Sequence, residues 1–127
     1  MNSESAVVAL AALAQTSRLA IFRLLIVAGN EGMSVGKIGE GLALPAATLS
    51  FHLKELSHAG LIEGKQEGKF VYYKVKFSQM NELMAFMVEH CCDESEEGCG
   101  LELPACVADK IRIVPEQKKV SRARVRA

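Results

Sequence analysis

Apolar residues recur at helical spacing along most of the chain as far as Cys92, interrupted by one stretch with the character of strands. Residues 4–14, ESAVVALAALA, make a small-residue helical pattern with Glu4 near its start. Thr16 or Ser17 is placed to cap a second helix, which turns Leu19, Phe22, Leu25 and Ile26 inward and stops at Gly29-Asn30. Arg18 and Arg23 fall nearly opposite that face, where solvated or salt-bridged side chains belong. With Ser34 as its cap, a third pattern repeats Val35, Ile38 and Leu42 at i, i+3 and i+7. Ala43-Leu44-Pro45 breaks it, because Pro45 disfavours the α region for Leu44 yet fits the first turn of a new helix. That helix runs from about Ala46 to Ala59 with Leu49, Leu53 and Leu56 on one side, and Gly60 stands where a left-handed residue ends a helix. The result is helix, short turn, helix.

Two strands follow. Leu61-Ile62-Glu63 and Phe70–Val75 are rich in aromatic and β-branched residues, and Gln66-Glu67-Gly68-Lys69 between them predicts a hairpin turn. Ser78 can cap a last helix over residues 79–91, striped with Met80, Leu83, Met84, Met87 and Val88, while Phe86 lies on a different side. Residues 93–109 carry Gly98, Gly100 and Pro104 and predict a loop; Lys110–Val114 predicts a short strand; residues 116–127 lack any core pattern and predict a disordered tail. The organisation expected is one folded domain over residues 1–92, followed by a loop and tail over residues 93–127.

The second motif helix shows Ala47, Thr48, Ser50, Phe51, His52 and Lys54 away from its leucines. Small and hydrogen-bonding side chains of this kind fit a DNA major groove, where base edges and phosphates are met together. His52 can serve there or in helix packing. Lys65, Lys69, Lys74 and Lys76 line the hairpin as a phosphate-touching wing requires. Read without DNA, the same segment is a structural helical hairpin whose lysines form a solvated face.

Composition changes this picture little. The 127 residues carry fifteen basic and fifteen acidic side chains, so no global field drives DNA binding. Charge is segregated instead, into an acidic block of Asp93, Glu94, Glu96, Glu97 and Glu102 and a basic tail of Lys118, Lys119, Arg122, Arg124 and Arg126. The N-terminus lacks the positive region of a signal peptide, and no apolar run approaches the roughly eighteen residues of a membrane span. A cytoplasmic protein without a membrane partner is expected.

The four cysteines form the constellation Cys91-Cys92-x6-Cys99-x6-Cys106, starting where the last helical pattern ends. Adjacent cysteines bridge poorly to each other, but both sulfurs can reach one large soft ion, and a loop lets Cys99 fold back as a third ligand. Thiolates select soft ions such as copper(I), zinc and cadmium, and trivalent arsenic and antimony are thiophilic too. Three thiolates on trivalent arsenic make a neutral site, whereas zinc with three or four leaves negative charge beside the acidic block. That excess is disfavoured by only ~1 kcal/mol per close pair in water, so it does not decide alone. No CxxC or His-x3-5-His spacing supports structural zinc. His90, beside the pair, is either a ligand or an exposed helix-end histidine.

Ala46-Ala47-Thr48-Leu49-Ser50-Phe51-His52-Leu53-Lys54-Glu55-Leu56-Ser57-His58-Ala59-Gly60-Leu61-Ile62, followed by Glu67-Gly68-Lys69-Phe70-Val71-Tyr72-Tyr73, resembles the recognition helix and wing of the ArsR/SmtB repressors. Ala14–Phe22 is similar to that family's L-x-x-x-x-R-L-x-I-L helix, and the resemblance covers about residues 6–92. It implies a mainly α fold with a β-hairpin wing, a winged helix-turn-helix forming a homodimer through its N- and C-terminal helices, and double-stranded operator DNA as partner. An unpaired apolar stripe on the last helix agrees with such a dimer, and a two-fold dimer matches a palindromic operator. Arsenic sensors of this family carry a Cys-x-Cys pair on the first motif helix, but Ser34 and Gly36 stand there in this chain. Another branch has a Cys-Cys pair ending the dimer helix and a third cysteine shortly after; Cys91, Cys92 and Cys99 resemble that arsenite triad, and Cys106 has no secure counterpart.

The expectation is an arsenite-responsive repressor, with antimony as a chemical alternative, controlling arsenical resistance and using no organic cofactor. A cadmium, lead or zinc sensor of the same fold competes with it. So does a thiol redox sensor, although a helix C-terminus among carboxylates favours the neutral thiol over the reactive thiolate. An enzyme is not expected. Cys106-x5-Arg112 has the spacing of an oxyanion loop, but the loop lacks glycine, contains Asp109 and is preceded by Ala105. The remaining reading is a DNA-binding protein whose cysteines have no task.

Overall fold

The computed structural model describes residues 1–89. The sequence expectations for residues 90–127, including the cysteine constellation, the acidic loop, the short strand and the tail, lie outside the described residues.

The element order is α1 (Ser3–Leu13), α2 (Thr16–Ala28), a 3-10 turn (Gly29–Glu31), β1 (Met33–Ser34), α3 (Val35–Leu42), α4 (Ala46–His58), β2 (Ile62–Glu67), β3 (Phe70–Val75) and α5 (Phe77–Val88). The fold is mainly helical with an antiparallel hairpin, a winged helix-turn-helix. One compact unit ends at Met80 and a second begins at Asn81. No single described helix is long and apolar enough to cross a membrane.

Asn2 caps α1: its side chain accepts from the Ser5 amide at 2.8 Å, and Ser5 Oγ accepts from the Asn2 amide at 3.1 Å. Ala6, Ala9 and Ala12 make its buried stripe, leaving Val7, Val8 and Leu10 exposed. Small side chains let α1 approach α2 and α4 closely.

Helix α2 is the hub, packed against α1, α3, α4 and β3. Its cap is Gln15, whose Oε1 accepts from the Arg18 amide at 2.8 Å, rather than the expected Thr16 or Ser17. Its buried residues are Ile21, Phe22 and Leu25, whereas Leu19 and Ile26 are 44% and 37% exposed. The inward face is therefore rotated from the one read in the sequence, and Arg18, Ile21, Phe22 and Leu25 share it at i, i+3, i+4 and i+7. Arg18 accordingly is half-buried and not solvated. Its Nε donates to the Ala12 carbonyl at 2.6 Å, one of the last-turn carbonyls that α1 cannot satisfy internally. Its Nη1 stands 3.4 Å from Nδ1 of His52 on α4. A guanidinium only donates, so the ring nitrogen is the acceptor. Arg18 thus ties three helices.

Helix α3 ends at Ala43, which is left-handed (φ 54°), and Pro45 in extended conformation begins α4 without a side-chain cap. Leu49, Leu53 and Leu56 are buried as expected, and α4 ends before Gly60 at φ 80°. The hairpin is longer and tighter than the sequence indicated. β2 reaches Glu67, which pairs with Phe70, so the turn is Gly68-Lys69 alone. Leu61, Ile62 and Val75 bury its base.

A third strand was not foreseen: Met33 and Ser34 pair with Tyr73 and Tyr72, giving the order β1-β3-β2. This pairing needs Gly32, where φ is 72° and a Cβ would lie 2.4 Å from the Tyr73 carbonyl oxygen. Helix α5 starts at Phe77, ahead of the expected cap Ser78.

Removing the Arg18 tie leaves a buried carbonyl and a buried imidazole without their donor. Arg18→Ala should cost about 1–3 kcal/mol, read as a lower midpoint in denaturant unfolding with an unchanged slope. Arg18→Lys, which can reach one acceptor but not form the planar fork, should fall between.

Candidate nucleic-acid interface

Because α4 buries Leu49, His52, Leu53 and Leu56, its remaining side chains have no choice but to face outward. Ala47, Thr48, Ser50, Phe51 and Lys54 are all exposed there. His52 belongs to the other side. It is only 7% exposed, within reach of Arg18, so its groove-facing assignment is corrected to helix packing. Periodicity already placed it one turn from Leu49 and Leu56, but its polarity concealed this. Phe51, 55% exposed, sets its ring edge-on to His52 with centroids 5.5 Å apart and planes at 61°. The contact leaves a large apolar ring facing solvent, a side chain suited to a thymine methyl.

The start of α4 adds polarity of its own. With Pro45 at the cap and no side-chain acceptor, first-turn amides remain available to phosphate oxygens, aided by the helix dipole.

The hairpin carries the expected lysines, but their electrostatics differ. Lys65 lies 3.9 Å from Glu67 and Lys74 lies 3.7 Å from Glu63, all four solvent-accessible. Such surface pairs contribute little stability, yet each carboxylate offsets the field that its lysine presents to DNA. Among the described residues, Lys54 on α4 and Lys69 at the hairpin tip are in no ion pair. They are the cations best placed to meet phosphates.

Between α4 and β3 lies a cleft of about 350 Å³ that sequence reasoning missed. Ser57 and His58 extend the polar face of α4 into it. The helix wall of the cleft is legible as Ser50, Lys54 and Ser57 at i, i+4 and i+7, whereas the β3 wall has no local signal. No group of His, Cys, Asp and Glu able to hold a metal occurs among the described residues, and Cys91, Cys92 and Cys99 are not among them.

A family model described as a helix-turn-helix domain matches residues 13–65, from the end of α1 into β2. YceK of Bacillus subtilis, an uncharacterized HTH-type transcriptional regulator, is 38% identical over 65 residues, or 51% of this chain and 64% of that protein's length. The transcriptional activator HlyU of Vibrio cholerae is 32% identical over 95 residues, 75% of this chain and 85% of HlyU. Its solved structure superposes with a TM-score of 0.58 at 31% identity, covering 68% of this chain and 91% of that one. A structure of reduced HlyU gives 0.55 at 30% identity, covering 72% and 93%. The homodimeric winged helix-turn-helix domain of Mb0332 from Mycobacterium bovis, described as a possible ArsR-family regulator, gives 0.53 at 26% identity, covering 68% and 84%. With the helix-turn-helix and hairpin in place, and the match to HlyU running across most of both chains, this chain belongs to the HlyU-like family of winged helix-turn-helix transcriptional regulators, which has ArsR-like structural neighbours.

Proposed function

We propose that this regulator reads double-stranded operator DNA as a homodimer, with α4 in the major groove and the β2–β3 hairpin on the phosphates beside it. The observation that carries the reading is the two-sidedness of α4: an apolar inner face anchors it, and a polar outer face with Phe51 continues toward the lysines of the hairpin. Base edges confer discrimination and phosphates confer affinity. Ser50→Ala should therefore lower the ratio of operator to random-duplex affinity, while Lys69→Ala should weaken both together and flatten the salt dependence by about one phosphate contact. Lys65→Ala, already offset by Glu67, should matter less than Lys69→Ala. Titration of labelled duplexes across salt concentrations reads all three, and unchanged operator binding in both Ser50→Ala and Lys69→Ala would refute the assignment.

A dimer is supported by the homodimeric state of the Mycobacterium bovis domain and by exposed apolar side chains on the helices that the sequence assigned to the interface. Val7, Val8 and Leu10 project from α1, and Met87 of α5 is 60% exposed. Leu83, expected at the interface, is only 2% exposed in the single chain, so Met87 is the better probe. Met87→Glu places a charge in an apolar contact and should yield monomers in sedimentation that bind a half-site weakly. A wild-type monomer at micromolar concentration would contradict the dimer.

The effector reading rests on the sequence. Cys91, Cys92 and Cys99 supply three thiols to trivalent arsenic, or antimony, as arsenous acid exchanges its three hydroxyls for three As–S bonds and releases three waters. Closing the triad draws the third cysteine toward the adjacent pair beyond α5. Two reading helices must stay about 34 Å apart to enter successive major grooves, so a small change in dimer angle reduces affinity. A coupling of ~1–3 kcal/mol gives a several-fold to hundred-fold loss.

Thiol redox sensing is the second reading, favoured by the existence of a distinct reduced HlyU structure. Serine at Cys91, Cys92 or Cys99 should preserve operator binding and abolish release by arsenite, while Cys106→Ser preserves both. Parallel arms with cadmium, zinc and peroxide separate the readings: release by peroxide alone would replace the arsenite assignment with the redox one.

A further inference from the structure

The cleft beside α4 has two unlike walls. Ser50, Lys54, Ser57 and His58 form the helix side, and Val71 and Tyr73 of β3 form the hairpin side, with Val35 and Leu53 completing the apolar part. None of these lining residues is a carboxylate, and the helix side offers one ammonium, two hydroxyls and an imidazole. Tyr73 can lie across the hairpin only because its partner in register is Gly64, where a Cβ would stand 2.9 Å from the ring. A wall with one ammonium and two hydroxyls facing an apolar wall suits an anion carrying an apolar body.

We propose that the cleft seats one sugar-phosphate unit of the bound duplex, the phosphate against Lys54, Ser57 and His58 and the deoxyribose against Val71 and Tyr73. The proposal rests on the DNA reading above and adds contacts it did not contain. If α4 occupies a major groove and the hairpin the neighbouring minor groove, the strand dividing those grooves must cross the seam between α4 and β3. The cleft lies in that seam and is continuous with the reading face through Ser50 and Lys54. Contacts there fix register without reading sequence. Ser57 and His58 are thus positioning residues for the duplex.

The test uses the full chain, a duplex selected by the wild-type protein from a random pool, and a random duplex. Ser57→Asp puts a like charge beside the phosphate and should weaken both duplexes by about tenfold or more, as expected for close charges near a protein surface, leaving their ratio unchanged. Ser57→Ala, which removes one donor, should weaken both by roughly two- to tenfold with an unaltered melting temperature. The decisive arm replaces single phosphates by neutral methylphosphonates: at one position per half-site the Ser57→Asp penalty should largely disappear.

A fold defect, or a small organic anion as the true occupant, would give no such position, and that result overturns the proposal. Normal binding by Ser57→Asp while Lys69→Ala binds weakly would also overturn it, leaving the DNA reading intact. Failure of the wild-type chain to select any duplex would instead defeat the DNA reading itself.

Discussion

One inward stripe on α2 sets the geometry on which everything else depends. Buried Ile21, Phe22 and Leu25 and half-buried Arg18 face inward together, and α2 is the element that touches α1, α3, α4 and β3. Its apolar members supply the non-directional part of the packing, each fully buried aliphatic or aromatic side chain contributing about 1.5–3 kcal/mol. Its charged member supplies direction. Arg18 is held by the Ala12 carbonyl on one side and His52 on the other, so α1 cannot rotate freely against α4. A buried polar contact of this kind adds less net stability than the leucines do, but it discriminates among rotations that hydrophobic packing alone would tolerate.

That discrimination bears on function, since α1 and α4 have separate proposed tasks. An effector that alters a dimer interface must change the attitude of α4 to affect DNA. Two tied helices pass on such a change, whereas two that merely slide over each other would absorb it. The inner face of α4 thereby restricts the outer one. Leu49, Leu53 and Leu56 fix its rotation, His52 is pinned, and Phe51 is propped against His52 in solvent. The hairpin is fixed separately, through Ile62 and Val75 at its base and the unexpected pairing of β1 with β3.

Much of this was legible in the residues. The leucine spacing of α4, the Pro45 start and the Gly60 stop follow from local rules that tertiary structure did not override. Two of the differences share one cause: a polar side chain on an inward face. An isolated sequence shows polarity and not partners, so it leaves His52 open between DNA contact and helix packing and places Arg18 opposite an apparent α2 face that includes Leu19 and Ile26. Strand β1 was missed because two residues carry no periodicity, and its only signature was Gly32, which admits the Tyr73 backbone. The cleft required knowing how β3 lies against α4, a long-range relation that no pattern along the chain encodes.

The outward face of α4 and the hairpin tip together form the proposed DNA-binding surface. Amide chemical-shift mapping during titration with a short duplex selected by the protein is its test. The largest shifts should fall at Ala47, Thr48, Ser50, Phe51 and Lys54 and at Gly68-Lys69, with Leu19, Arg23 and Val27 on the outside of α2 unmoved. Shifts concentrated on α2, with α4 and the hairpin silent, would contradict it.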